Sequence, residues 1–157
     1  MRYNSAMATV VAKKRSSRAK VPGRLEELAE FRFRLRRFLS FSEMAAEAVG
    51  ISAQQYQLLQ VIASAPAGWP ASISYVAERM VVRHNSAVEL VDRAERSGLV
   101  RRVADEIDHR RSLVEVTGRG SELLSLLVAQ HLIEIGNEGP EMMRALERLL
   151  VEKGEDR

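Results

Sequence analysis

Two short runs of side chains have the types and spacing to do chemistry. Arg83, His84, Asn85 and Ser86 are consecutive, and Glu89 and Arg93 follow on the polar side of the same helical pattern. Arginine can pair with guanine, asparagine with adenine, and serine with bases or phosphates. The second run is Asp108, His109, Arg110 and Arg111. A guanidinium carried on a thin hairpin suits the narrow, electronegative minor groove of A·T-rich DNA. Against this, surface helices commonly carry solvated Arg and Ser, so residue type alone leaves a reading face and an ordinary solvated face both open.

What matters is how these runs are held. After Ser74, a candidate N-cap, Tyr75 to Met80 make a short helix, and Val81-Val82 form a non-periodic step. A second helix is expected over His84 to Ser97, with Ala87, Leu90, Val91 and Ala94 facing inward and Gly98 as its C′ residue. The period then changes. Leu99 to Val103 is β-compatible, Ala104 to His109 is turn-like, and Ser112 to Val116 puts Val114 and Val116 on one side and Glu115 on the other. Helix, turn, helix and hairpin arrive in the order of a winged helix-turn-helix, whose second helix enters the major groove. The acids Glu89, Asp92, Glu95, Asp105, Glu106 and Asp108 dilute the positive field. They keep a winged helix used for protein contact as the competing reading.

The flanks are helical. From Arg24 to Val49, the residues Leu28, Phe31, Leu35, Phe38, Leu39, Ala46 and Val49 form one apolar stripe, while Phe33 and Phe41 lie off it and imply a second surface to bury. Gly50 stops this helix. Ser52 and Gln55 have capping-box spacing, and Tyr56, Leu59, Val61, Ile62 and Ala63 continue a short helix. Pro66, Gly68 and Pro70 make a loop around Trp69. Thr117 caps a helix to about Ile135. Residues 136–139 are expected to interrupt it, with Pro140 opening a last helix to about Lys153. Residues 123–135 are apolar on most sides, which implies burial all round with a partner subunit as cover. The expected fold is mainly α with a small β-hairpin wing. A disordered basic tail (1–23) precedes a winged helix-turn-helix (51–117), and residues 24–50 and 118–153 form a helical dimerisation region.

Composition narrows the function classes. The absence of cysteine excludes disulfides, a thiol nucleophile and a cysteine redox switch. No run of apolar residues is long enough for a membrane span, and no signal-type apolar segment follows the basic start, so the cytoplasm is expected. The net charge is +3, but Arg2, Lys13, Lys14, Arg15, Arg18, Lys20 and Arg24 all precede the first acid, Glu26. Such a tail either contacts a polyanion or is a solvated leader. His131 and Glu134 lie one helical turn apart, too little for a metal site. No catalytic set and no phosphate-binding glycine loop is visible, so neither an enzyme nor a cofactor is expected.

Residues 72–117 resemble the multiple-antibiotic-resistance regulator (MarR) family. The marks are Leu-Val-Asp-Arg at 90–93, Ser-Gly-Leu-Val at 97–100, Asp-x-Arg at 108–110 and a closing Val-Thr at 116–117. The flanking helices extend the likeness over about 24–153. The resemblance implies a homodimer with one winged helix per subunit, acting on double-stranded DNA as a transcriptional regulator. It also implies that Arg110 matches the minor-groove arginine, that Asp108 orients the wing, and that Arg83 to Ser86 open the recognition helix. A small aromatic or anionic effector is implied too, with Arg37, Phe38, Phe41, Tyr56 and Trp69 as the residues to examine. The chain departs from the family at Arg83, where a small hydroxyl cap is usual, at the unusual pair His84-Asn85, and at Ala94, where leucine is usual.

Overall fold

The computed structural model describes residues 23–67, 71–108 and 110–151. Five helices and one hairpin follow in order: α1 (Leu25–Ala48), α2 (Ala53–Ala63), α3 (Ile73–Met80), α4 (His84–Arg96), β1 (Val100–Ala104), β2 (Ser112–Val116) and α5 (Gly118–Leu150). This is the expected mainly helical fold with a small hairpin. The basic tail and Trp69 lie outside the described residues, as does His109.

Local signals set most boundaries. The Ser52 hydroxyl accepts from Gln55 N at 3.1 Å and the Gln55 side chain accepts from Ser52 N at 2.9 Å, so the capping box closes and α2 starts there. At the end of α4, Gly98 takes a φ of 70°, and its N–H and that of Leu99 donate to Glu95 O and Ala94 O. Only a residue without a Cβ takes that left-handed turn at no cost. Thr117 Oγ1 accepts from Gly120 N at 3.1 Å and opens α5.

The start of α3 is displaced from expectation. Its cap is Ser72, whose hydroxyl accepts from Tyr75 N at 3.2 Å, and not Ser74, which is exposed inside the helix. The reason lies across the chain. Ser72 bridges Leu113, and Val114 N donates to Ala71 O at 2.9 Å, so β2 holds this segment extended up to Ser72. The chain can turn helical only after it leaves that short third strand.

A second correction concerns α5. Residues 136–139 do not interrupt it. The helix runs continuously from Gly118 to Leu150 with Pro140 inside. An internal proline loses one hydrogen bond and costs about 3 kcal/mol. Here α1 lies along α5 and holds this stretch. Arg37 Nη2 donates to Glu138 Oε1 at 3.0 Å, Arg34 lies 3.6 Å from the same carboxylate, and Ala145 is buried beyond the proline. Arg24 also donates to the Arg148 and Leu149 carbonyls, supplying partners to the unpaired acceptors at the end of α5. Tertiary contact on both sides of Pro140 outweighs its local preference.

One core joins the winged helix to the long helices, through Ala46 of α1 and Leu127 of α5. Leu58, Leu59 and Ile62 of α2 meet Val76 of α3, Ala87, Leu90, Val91 and Ala94 of α4, and Val100 and Val114 of the hairpin. A lone two-stranded hairpin is marginal in water. This one is anchored by the buried Val100 and Val114, with register running from Val100↔Val116 to Ala104↔Ser112. The α1 and α5 surfaces are less complete. Leu126, Leu132, Ile133, Ile135 and Met143 stay exposed, so within one chain residues 123–135 are covered on one side only, at Leu123, Leu124, Leu127 and His131. Among the described residues, no helix is long and apolar enough to cross a membrane.

The turn between α3 and α4 carries strain. Val81 sits at φ 55°, ψ 45° and is 91% exposed. A left-handed non-glycine residue costs roughly 1–2 kcal/mol, and β-branching makes it worse. Val81→Asn should raise unfolding stability by about 1 kcal/mol, because Asn tolerates this conformation and no core contact is lost. A urea midpoint at or below that of the parent chain would show that the turn is not strained.

Candidate nucleic-acid interface

The four apolar residues of α4 that face the core fix the direction of the others. With Ala87, Leu90, Val91 and Ala94 all buried, Arg83, His84, Asn85, Ser86, Glu89 and Arg93 are turned outward and exposed. Arg83 is the N-cap in an extended conformation and makes no side-chain cap bond. The first helix-type hydrogen bond is Ala87 N to Arg83 O, so the backbone donors at the start of α4 face outward with no side-chain cap. Such a helix start, carrying an uncommitted guanidinium and an amide side chain, offers donors to phosphates and base edges.

The wing tip is built by two aspartates. Asp105 is buried, and its Oδ1 accepts from Ile107 N at 2.9 Å and from Asp108 N at 3.2 Å. Asp108 Oδ1 accepts from Arg110 N at 3.1 Å, and its carbonyl accepts from Arg111 N at 2.8 Å. The Asp105 N to Arg111 O bond at 3.3 Å closes the loop. Arg110 and Arg111 are thereby exposed on an organised turn. Neither they nor Arg83 and Arg93 make an ion pair among the described residues.

The acids of this face behave otherwise. Arg102 of β1 reaches Asp92 and Glu95 of α4, each at 2.6 Å, and its backbone N–H donates to Glu95 Oε1 at 2.8 Å. The Arg102 backbone N–H first, then its guanidinium, hold the Glu95 carboxyl below the ordinary glutamate range. Partial burial pulls the Arg102 value down, but its hydrogen bonds to Asp92 and Glu95 outweigh that and raise it. A depressed carboxylate stabilises the fold above its ordinary pKa, and that contribution is lost as pH falls through the lowered value. The clamp therefore holds at neutral pH and fails only in acid. Glu115 is likewise held by Arg101 at 2.9 Å.

The aromatic residues considered for an effector gather elsewhere, where α1, α2 and α5 meet. Phe38, Phe41 and Tyr56 surround His131 with ring centroids at 6.0, 5.2 and 4.6 Å. His131 is buried. Leu127 O can only accept, so Nδ1 carries the hydrogen donated to it at 2.7 Å, leaving Nε2 to accept from Ser42 Oγ at 2.9 Å in the neutral ring. Burial raises the Tyr56 phenol above its ordinary value. Both His131 nitrogens are thus engaged, and Glu134 does not join it. No group of three potential metal-ligating side chains occurs among the described residues. A groove of about 460 Å³ lies beside this junction, lined by Phe41, Met44, Ala45, Gln130, Ile133 and Glu134. Arg37 is committed to Glu138.

Residues 49–111 match the model of the MarR family. This segment of the chain is similar to the winged helix of that family. Solved structures of MarR regulators align well beyond that segment. A MarR-like transcription regulator of Bacillus cereus is 25% identical, with 80% of this chain and 91% of that one covered and a TM-score of 0.63. CouR of Rhodococcus jostii, solved with p-coumaroyl-CoA, is 26% identical, with 64% of this chain and 69% of that one covered and a TM-score of 0.57. A MepR variant of S. aureus, solved with an oligodeoxyribonucleotide, shares the fold at 21% identity, covering 76% of this chain and 92% of that one, with a TM-score of 0.54. No curated protein sequence matches the chain.

In this winged helix, the departures at α4 have visible outcomes. Arg83 does not cap, which leaves its side chain available, and Ala94 is fully buried. Reading residues by type missed Arg102 and Asp105. Asp105 did carry a local signal, an aspartate at a strand end followed by a turn, where Asx side chains take nearby backbone N–H groups. Arg102 carried none, since its partners become neighbours only when β1 folds back along α4.

Proposed function

We propose that the chain is a sequence-specific regulator of transcription that binds double-stranded DNA as a homodimer. Two subunits place α4 in successive major grooves of a pseudo-palindromic operator, with half-sites about 10 bp apart. Arg83, His84, Asn85 and Ser86 lie at the base edges, Glu89 and Arg93 follow along the helix, and the Asp108–Arg111 wing reaches the flanking minor groove. One observation carries this reading. On the face shared by α4 and the wing, arginines at 83, 93, 110 and 111 are exposed without ion-pair partners among the described residues, while Asp92, Glu95 and Asp105 are engaged by Arg102 and the wing backbone. The acids keep their charge, but Asp92 and Glu95 are taken up by Arg102 while four guanidiniums remain uncommitted at the surface, which favours a polyanion over a protein surface. The MepR variant carrying DNA on the same fold supports it.

Dimerisation rests on the apolar residues left bare on α5, with Leu132 64% and Ile133 67% exposed. A second copy packed there covers them, with 24–50 and 118–153 as the dimer unit and 51–117 as the reading head. The expected action is repression in the cytoplasm, relieved by a small aromatic or anionic effector bound where these helices meet the winged unit. CouR with its acyl-CoA supports the effector. Such a ligand acts only through unequal affinity for the two spacings of the reading heads.

Selection of full-length protein against a random duplex library tests the reading. A palindromic site should be enriched by a dimer. If no site is enriched at any salt concentration, the protein-contact reading takes over.

The Arg102 clamp has its own expected result. Arg102→Ala frees two carboxylates beside the phosphates, so operator affinity should drop about tenfold at low salt and recover partly as salt rises. Affinity equal to the parent at low salt would show that Asp92 and Glu95 do not face the DNA.

A further inference from the structure

Ile107 is 96% exposed, more than any other large apolar side chain described, and it stands at the tip of the wing. Turn positions there ordinarily favour Asn, Asp, Gly or Ser, and an isoleucine left in water does nothing for folding. The backbone that carries it is held. Its N–H is bonded to the buried Asp105, and the next turn of the loop is closed by Asp108 on Arg110 N. The loop therefore presents an apolar side chain outward, close in sequence to the exposed Arg110.

We propose that Ile107 is a specificity-determining residue, packing against the deoxyribose walls of the minor groove beside Arg110 and rejecting G·C pairs at that step. The inference rests on the chain being a reader of duplex DNA. An A·T pair shows only acceptors in the minor groove, whereas G·C adds the guanine 2-amino donor. The Arg110 guanidinium is donor-only and can serve the acceptors. The guanine amine, covered by isoleucine, loses its water and gains no acceptor from that aliphatic side chain. A buried donor without a partner is expensive. Isoleucine adds rejection of guanine to the attraction for A·T that an arginine supplies.

The test uses full-length protein and the duplex that it selects, with the flanking pairs changed in turn to A·T, G·C or inosine·C. Inosine lacks the 2-amino group and leaves the rest of the pair alike. The parent chain should bind A·T and inosine·C flanks similarly and G·C about tenfold more weakly. Ile107→Ala should bind the A·T flank about tenfold more weakly and separate G·C from inosine·C by no more than about twofold, with the salt slope unchanged because no charge is lost. Ile107→Val should stay near the parent. Since the side chain is exposed, neither variant should change the thermal midpoint. If Ile107→Ala keeps parental affinity and the parental G·C to inosine·C ratio, the inference falls while the DNA-binding reading stands. If the parent chain selects no duplex, the reading falls and takes the inference with it.

Discussion

Replacing Arg110 with alanine is expected to weaken operator binding about a hundredfold, the loss of one groove arginine from each of two subunits. The salt dependence should flatten as well, by about two counterions per dimer. The geometry makes this a clean experiment. Arg110 is exposed, its side chain has no ion-pair partner among the described residues, and the turn is held through its backbone N–H by Asp108 at 3.1 Å. The fold should therefore be indifferent, with an unchanged thermal midpoint. Arg110→Lys should recover the salt slope but not the full affinity, because an ammonium keeps the charge and loses the planar fork. Titration of the selected duplex at several salt concentrations separates these effects. Parental affinity and slope in Arg110→Ala would remove the wing from the interface and leave α4 as the reading element.

The largest effect on stability is expected at Gly120. A Cβ built there overlaps the Leu99 carbonyl oxygen and comes within 2.8 Å of Val116 Cγ1 and 3.1 Å of Leu59 Cδ2. The carbonyl cannot retreat cheaply. It accepts from Thr117 N at 3.0 Å, and Thr117 Oγ1 donates to Gly98 O at 2.7 Å, tying the start of β1 to the start of α5. Gly120→Ala should destabilise the protein by about 3 kcal/mol, the upper part of the range for overpacking, since backbone must move. Gly118→Ala is the matched control, with nothing within 4 Å of its added Cβ. It should be close to neutral. Urea unfolding of both variants decides the matter, and equal midpoints would mean that α5 slides without loss. The requirement at 120 comes from the close approach of α5 to the hairpin and α2, the joint through which the long helix meets the winged unit.

Much of the fold was legible because its determinants are local. Ser52 and Gln55 cap each other three residues apart, Gly98 turns the chain within one residue, and the buried positions of α4 recur at helical spacing. The same stripe predicts which side of α4 faces outward, so the exposure of Arg83, Asn85, Ser86 and Arg93 was implied before any tertiary contact. The hairpin strand Ser112–Val116 likewise follows from alternation over five residues.

What escaped such reading involves partners far apart in the chain. Ser72 rather than Ser74 caps α3 because Leu113 and Val114 hold the preceding residues extended. Pro140 stays inside α5 where α1, some hundred residues earlier, lies along it, with Arg34 and Arg37 on Glu138 before the proline and Ala145 buried after it. The state of Asp92 and Glu95 depends on Arg102 crossing from the hairpin to α4, which ties both acids into one clamp. By itself the sequence determined most of the elements, their order and the outward face of α4, since propensity, capping and periodicity act within a few residues. Only the tertiary structure decided where α3 begins, whether α5 breaks and which charges stay free, since those outcomes are set by groups that become neighbours only on folding.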